Sequence, residues 1–231
     1  MPDAARLDGV SYTYPGGMRP AVEDVTVSFA RGLCHVLVGP NGSGKTTLLR
    51  LLAGLAGPLR PDRREVGLLL QEAVLPADMT ARAYVLCGRY PWISFFAQPA
   101  AADFEAVREA LGVCGLEGLA ERPLGALSSG QRQLVRLAQI VAQGARLVLL
   151  DEPTTFLDPA VQARLFAVLA RLRETRGTTV VMSLHDLHAA RRHADRLYAF
   201  RAGRLVASGR PGDVLTPGTV RAVFAVGLED I

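Results

Sequence analysis

Residues 39–47 read Gly39, Pro40, Asn41, Gly42, Ser43, Gly44, Lys45, Thr46 and Thr47. They fit G-x-x-x-x-G-K-[ST], the pattern of a phosphate-holding loop. Composition sharpens the match. Of 26 basic residues 25 are Arg; Lys45 is the only Lys and Asn41 the only Asn. A lysine is a compact charge on a thin stem and fits inside a ring of backbone amides, where the planar fork of an arginine does not. The amides from Asn41 to Thr46 are expected to wrap the β- and γ-phosphates, helped by the positive N-terminal end of the helix that follows. Lys45 would neutralise phosphate charge and the Thr46 hydroxyl would ligate magnesium, a hard cation that wants oxygen. Thr47 would donate to the α-phosphate.

A second cluster suits the same chemistry. Leu147-Val148-Leu149-Leu150 is a buried apolar run that ends in Asp151 and Glu152. Asp151 would contact the magnesium and Glu152 would polarise an attacking water, a role contributing roughly 10²–10⁴-fold. His185 follows the next apolar run and could hydrogen-bond the γ-phosphate, telling ATP from ADP. His188 and His193 lie beyond it without an acidic or cysteine complement, so a metal site there is not expected. Ser128-Ser129-Gly130-Gln131 has capping-box spacing, S-x-x-Q, before a helix over 131–143.

Alternating strands and helices must position these groups, with the polar residues at the C-terminal ends of the strands, where open parallel sheets bind ligands. Alternation predicts strands over Val10–Tyr14 and Val22–Phe29, with Pro15-Gly16-Gly17 as the turn. Leu33–Val38 reads as a buried strand running into the glycine loop, and Thr46–Ala53 as the helix after it. Glu65–Leu70 is another buried strand, ending at Gln71. Thr80–Gly88 and Asp103–Gly112 read as helices, with Tyr90-Pro91-Trp92 in a loop between them. Strands over Arg146–Leu150 and Thr178–Met182 flank a helix over Pro159–Glu174, with Pro159 in its first turn and Gly177 past its end. Leu197–Arg201 and Leu205–Ser208 form a hairpin through Ala202-Gly203, and Pro211–Phe224 is expected to be helical.

The bulk composition bounds the partners. At 231 residues, 49% hydrophobic, the chain can fill one large core or two small ones. A net charge of +4, spread over scattered arginines, does not suggest nucleic-acid binding. Three cysteines without a C-x-x-C pair suggest neither a disulfide framework nor a zinc ribbon, which suits a reducing cytosol. Met1–Arg6 lacks an apolar signal core, and the longest uncharged stretch, Tyr90–Ala102, is too short and too rich in proline to span a bilayer. A soluble protein is expected, whose membrane role would need a partner.

Taken in order, the glycine loop, Gln71, Leu127-Ser-Ser-Gly-Gln131, Asp151-Glu152, Asp158 and His185 resemble the nucleotide-binding domain of ATP-binding cassette (ABC) ATPases. Leu127–Gln131 is similar to that family's signature, LSGGQ, with Ser129 in place of the first glycine. The resemblance covers nearly the whole chain. It implies an α/β fold: a P-loop NTPase core of the ABC ATPase type, with an antiparallel β edge subdomain and an inserted helical subdomain. It implies one domain over residues 1–231, with core 1–71 and 144–231 and a helical insertion at approximately 72–143. Two copies would pack head to tail, Ser128, Ser129, Gly130 and Gln131 of one closing over the ATP and Mg2+ held by the other's loop, with Asp158 at the seam. Tyr14 would stack on adenine, with Tyr12 as the competitor, since alternation puts both on one face. Gln71 would touch magnesium and the attacking water.

Gly88-Arg-Tyr-Pro91, Asp151-Glu-Pro-Thr-Thr-Phe-Leu-Asp158 and Leu184-His-Asp-Leu187 resemble the branch that imports iron–siderophore, haem and cobalamin complexes. That branch implies a peripheral subunit at the cytoplasmic face of the membrane. It would bind membrane permease subunits and, through them, serve a substrate-binding protein, with Tyr84–Phe96 in the groove that accepts a coupling helix. The alternatives are a non-transport ABC ATPase of the iron–sulfur cluster assembly type and a P-loop kinase, the last disfavoured by the signature and by Glu152 beside Asp151. The path from Lys45 to Gln71 is short for the family, and the usual hairpin around Gly57–Arg64 is expected to be missing.

Overall fold

The computed structural model describes residues 2–71 and 74–224. Residues 1, 72–73 and 225–231, which include the expected start of the insertion and the two ends of the domain, lie outside the described residues. Strands β1 (Asp3–Tyr12) and β2 (Val22–Ala30) pair antiparallel in a sheet of their own. A six-stranded sheet follows, in the order β4 (Val66–Leu69), β5 (Leu147–Leu150), β6 (Thr179–Ser183), β3 (Cys34–Val38), β7 (Arg196–Arg201), β8 (Arg204–Gly209). All neighbours in it are parallel except β8, which closes the antiparallel hairpin with β7.

The central strands are buried on both faces, and their alternate residues serve two cores. Cys34, Val36 and Val38 of β3 join the core formed with α4 (Ser129–Gln143) and α5 (Pro159–Arg176). Leu37 joins the other, where Leu48, Leu49, Leu51 and Leu52 of α1 (Lys45–Leu52) meet Val25, Val27 and Phe29 of β2. Thus α1 and the two-stranded sheet cover one face, and α4 and α5 the other. Between β4 and α4 stand α2 (Ala81–Leu86) and α3 (Ala101–Val113), with Thr80 capping α2 through the amide of Ala83. Beyond β6, a short α6 (Leu187–His193) is capped by Asp186.

Four expectations need correction. Strand β1 starts at Asp3 and ends at Tyr12, because its limits follow pairing with β2, from Ala30 down to Val22, rather than side-chain alternation. Tyr90-Pro91-Trp92 is not a loop but the end of a 3-10 turn over Cys87–Trp92. Tertiary bonds hold it: Trp92 Nε1 donates to Gln143 O at 2.8 Å, and Arg89 binds Asp103 at 2.9 Å and Ala142 O at 2.8 Å. Pro211–Phe224 is two helices, α7 (Pro211–Val214) and α8 (Pro217–Phe224), because Pro217 disfavours helical geometry in Thr216 before it. Strand β6 reaches Ser183, one residue past the expected end. The shortened segment behaves as expected: residues 53–65 contain no strand.

Candidate functional site

The strand ends of β3, β5 and β6 converge, bringing together the glycine loop after β3, Asp151 just past β5 and Ser183 at the end of β6, the last two buried. From Val38 the chain turns through Gly39–Gly44 into α1. At two positions the backbone runs too close for a side chain. A Cβ on Gly39 (φ 151) would lie 2.2 Å from Phe200 O, and one on Gly44 (φ 103) 2.6 Å from Ala21 O. Lys45 Nζ donates to the carbonyls of Gly39 (2.8 Å) and Pro40 (3.1 Å) and is buried inside its own loop. Burial lowers the lysine's pKa, while Glu152 and Asp151 draw it back up. Ser43 Oγ is buried in the same loop and has no hydrogen-bond partner among the described residues.

Thr46 Oγ1 donates to Asp151 Oδ2 at 2.8 Å, and Ser183 Oγ donates to Asp151 Oδ1 at 2.8 Å. Ser183 Oγ also accepts from the Glu152 amide at 2.8 Å. Asp151 is therefore fixed through both oxygens, from α1 and from β6. Glu152 sits at φ 48, in the left-handed region, so the chain bends sharply after β5 and sends the two adjacent carboxylates in different directions. His185 Nε2 bonds Glu152 Oε1, and Thr155 Oγ1 lies 3.4 Å from Oε2.

Asn41, Gly42, Ser43, Gly44, Lys45, Thr46, Thr47, Gln71 and Glu152 line one cavity of about 360 Å³, with Ala21. A larger cavity of about 460 Å³ lies beside His35 and Tyr198. It has neither the glycine loop nor a carboxylate, so the smaller one is the candidate site. Tyr14 stands past the end of β1, in the turn, with its hydroxyl 3.4 Å from Thr47 Oγ1 and accepting from Arg50 at 3.3 Å. Tyr12 packs edge-on against it at 5.0 Å. Since β1 stops at Tyr12, alternation does not relate the two rings, and Tyr14 is the one that reaches α1.

The serine-capped helix forms as its spacing predicts. Ser128 Oγ accepts from the Gln131 amide at 3.2 Å, and Gln131 Oε1 accepts from the Ser128 amide at 3.0 Å. Ser128 and Ser129 are exposed, and Gly130 is buried. Asp158 caps α5 through the Val161 amide at 2.9 Å and is itself exposed. None of Ser128, Ser129, Gly130, Gln131 and Asp158 lines the cavity of its own chain. His188 is exposed, and His193 stacks on Phe166 at 3.8 Å. Among the described residues no group of three His, Cys, Asp or Glu could hold a metal.

Two participants were missed from the sequence. Ser183 closes an otherwise apolar strand, and only the adjacency of β5 and β6 brings it to Asp151. Arg50 is the one charged residue between Lys45 and Arg60, a signal available in the sequence.

A family model described as ABC transporter matches residues 22–155. The chain is similar to the ferric enterobactin transport ATP-binding protein FepC of Escherichia coli, 36% identical over 96% of this chain and 88% of that protein. It is similar to the hemin import ATP-binding protein HmuV of Rhodococcus jostii, 39% identical over 98% of this chain and 81% of that protein. Among solved structures it is similar to a metal-chelate type ABC transporter in an inward-facing conformation, with a TM-score of 0.87 and 28% identity, over 96% of this chain and 89% of that one. It is also similar to a dimeric bacterial ABC transporter cassette, with a TM-score of 0.78 and 26% identity, over 89% of this chain and 98% of that one.

Proposed function

The chain belongs to the ABC transporter family, and from that premise we propose that it is the ATP-hydrolysing subunit of an importer for metal chelates of the iron–siderophore, haem or cobalamin kind. The observation that carries the chemistry is the run of contacts Thr46–Asp151–Ser183–Glu152–His185 at the mouth of the glycine loop. The substrate class rests on the relatives, which are named for enterobactin and hemin transport.

Three features of the site fit ATP with Mg2+. Ser43 Oγ is a buried polar atom without a partner among the described residues, Lys45 is an ammonium held inside the loop, and Thr46 with Asp151 is an all-oxygen pair. Magnesium is commonly held by one or two such protein ligands plus phosphate oxygens and water. When bound, the nucleotide and its cation supply an electrophilic γ-phosphorus and neutralise its charge. Thr46 and Asp151 hold the cation, with Gln71 at the tip of β4, while Lys45 and the amides of Asn41–Thr46 bind phosphate oxygens. Tyr14 supports the adenine, its hydroxyl steadied by Arg50. Glu152 orients the attacking water and takes its proton on a carboxylate oxygen. His185 holds Glu152 in that orientation.

Ser128, Ser129 and Asp158 are exposed, and with Gly130 and Gln131 they serve a second copy, packed head to tail. We assign one cassette domain to residues 1–231, with core 1–71 and 144–231 and a helical insertion at approximately 72–143. The exposed aromatics Tyr90, Phe95 and Phe96 of that insertion make Tyr84–Phe96 the docking region for the membrane permease. A substrate-binding protein acts on the far side of that permease, and the chain sits peripherally on the cytoplasmic face. No helix among the described residues is long and apolar enough to cross a membrane. Co-expression with a multi-spanning permease of the metal-chelate import class tests the proposal. Co-purification in detergent, with ATP hydrolysis stimulated by a metal chelate, supports it. Intact hydrolysis with no such association points instead to a soluble partner.

A further inference from the structure

Helix α4 carries, below its serine cap, two side chains that touch both halves of the site. Arg136 donates to the carbonyl of Leu70, the residue before Gln71. It donates also to Gln133 Oε1 at 2.9 Å. Gln133 Nε2 in turn donates to the carbonyl of Pro153 at 2.8 Å, the residue after Glu152. A continuous chain of hydrogen bonds thus runs from the end of β4, through two side chains one turn apart on α4, to the turn after β5.

The two residues are not ordinary helix-face residues. Arg136 is 9% exposed, and burial lowers its pKa while the Tyr84 phenol of α2 draws it up. A buried charge is costly unless its hydrogen bonds are made. Among the described residues, the partners that make them are the Leu70 carbonyl, the Gln133 amide and Tyr84. Two of these are on segments other than α4. Gln133 spends its carbonyl on Arg136 and its amide nitrogen on Pro153, so it cannot turn without releasing both.

Resting on the nucleotide reading above, we propose that Gln133 and Arg136 are positioning residues. They tie α4, whose cap faces the second copy, to the Gln71 strand end and the Glu152 turn together. When α4 shifts as a body, the two groups that orient the attacking water shift in step. Neither side chain lines the glycine-loop cavity. Both act through the backbone of a neighbour.

The test is Gln133→Leu, which removes both of that residue's bonds at nearly constant volume, alongside Arg136→Met and the double variant. ATP affinity is read by calorimetry, kcat and KM by steady-state hydrolysis, and folding by thermal melting. A displaced water-orienting group costs about tenfold to a hundredfold in kcat. The glycine loop is untouched, so Kd for ATP stays within about twofold of wild type. Because the two residues form one chain, the double variant falls no further than the worse single. Wild-type kcat in Gln133→Leu, or single losses that multiply in the double, overturns the proposal. Should Arg136→Met fail to fold, Gln133→Leu decides alone. A wild-type chain that binds no ATP in the same calorimetry overturns the nucleotide reading and this inference with it. ATP binding by wild type with an unaffected Gln133→Leu overturns only this inference.

Discussion

His185 Nε2 donates to Glu152 Oε1 across the gap between the ends of β6 and β5. The Glu152 side chain is 11% exposed and that of His185 42%, so the imidazole is the solvent-facing partner and screens the carboxylate. With Thr155 near the other oxygen, Glu152 has little rotational freedom left. A base that must meet one water in one direction benefits from that restriction.

Glu152→Gln keeps the shape of this contact and removes the basic oxygen. Turnover is expected to fall about 10²–10⁴-fold while ATP binding persists. Unable to hydrolyse, the variant should accumulate as an ATP-dependent dimer on gel filtration. A monomer with normal turnover would contradict the role. Adding His185→Ala to Glu152→Gln should cost nothing further, since the two act as one unit.

Lys45→Ala removes the ammonium from inside the loop and leaves the carbonyls of Gly39 and Pro40 without their donor. A hydrogen bond to a charged group is worth about 1.5–3 kcal/mol, so nucleotide affinity should fall by at least about tenfold. Calorimetry measures it directly, and an unchanged Kd for ATP would count against the loop assignment.

The parts legible beforehand were those whose cause is local. Val38 into Gly39 is an apolar strand meeting a glycine pattern, and Ser128 with Gln131 is a bond pair spanning three residues. What stayed hidden depends on neighbours far along the chain. Ser183 gained its role from the strand laid beside β6, and the turn at Cys87–Trp92 from the helix end at Gln143. The positive φ of Glu152 was hidden as well, since a glutamate gives no warning of a left-handed backbone.

His35 makes part of the stability pH-dependent. It is fully buried, with Nε2 donating to Ala30 O at 2.9 Å and Nδ1 lying 3.1 Å from the Tyr198 hydroxyl. Burial lowers its pKa, against the pull of the Ala30 carbonyl and Asp195, and Arg173 and Arg196 lower it further. Below the unfolded value of about 6.5 the unfolded chain binds a proton that the folded chain refuses, so stability is lost as pH falls towards the lowered value. The slope is at most about 1.4 kcal/mol per pH unit for this group. Urea midpoints at about pH 7.5 and pH 5.5 should fall less for His35→Phe than for wild type. Equal falls would assign the effect elsewhere.

Gly130 has a structural reason to lack a side chain, apart from any nucleotide. A Cβ there would lie 2.9 Å from Val161 Cγ2 and 3.3 Å from Cγ1. Valine is stiff at χ1 and cannot easily swing aside, so Gly130→Ala should wedge the first turn of α4 away from α5. Overpacking of this kind costs about 1–3 kcal/mol, which lowers the melting temperature by about 2–4 °C for each kcal/mol. Val161→Ala in the same chain removes the obstructing methyls and should restore most of the loss. If Gly130→Ala melts with wild type, the packing explanation fails. If the double variant regains stability and turnover together, packing is the whole role of Gly130. A double variant that is stable yet inactive would place the glycine's importance outside this packing, as the proposed head-to-tail dimer requires.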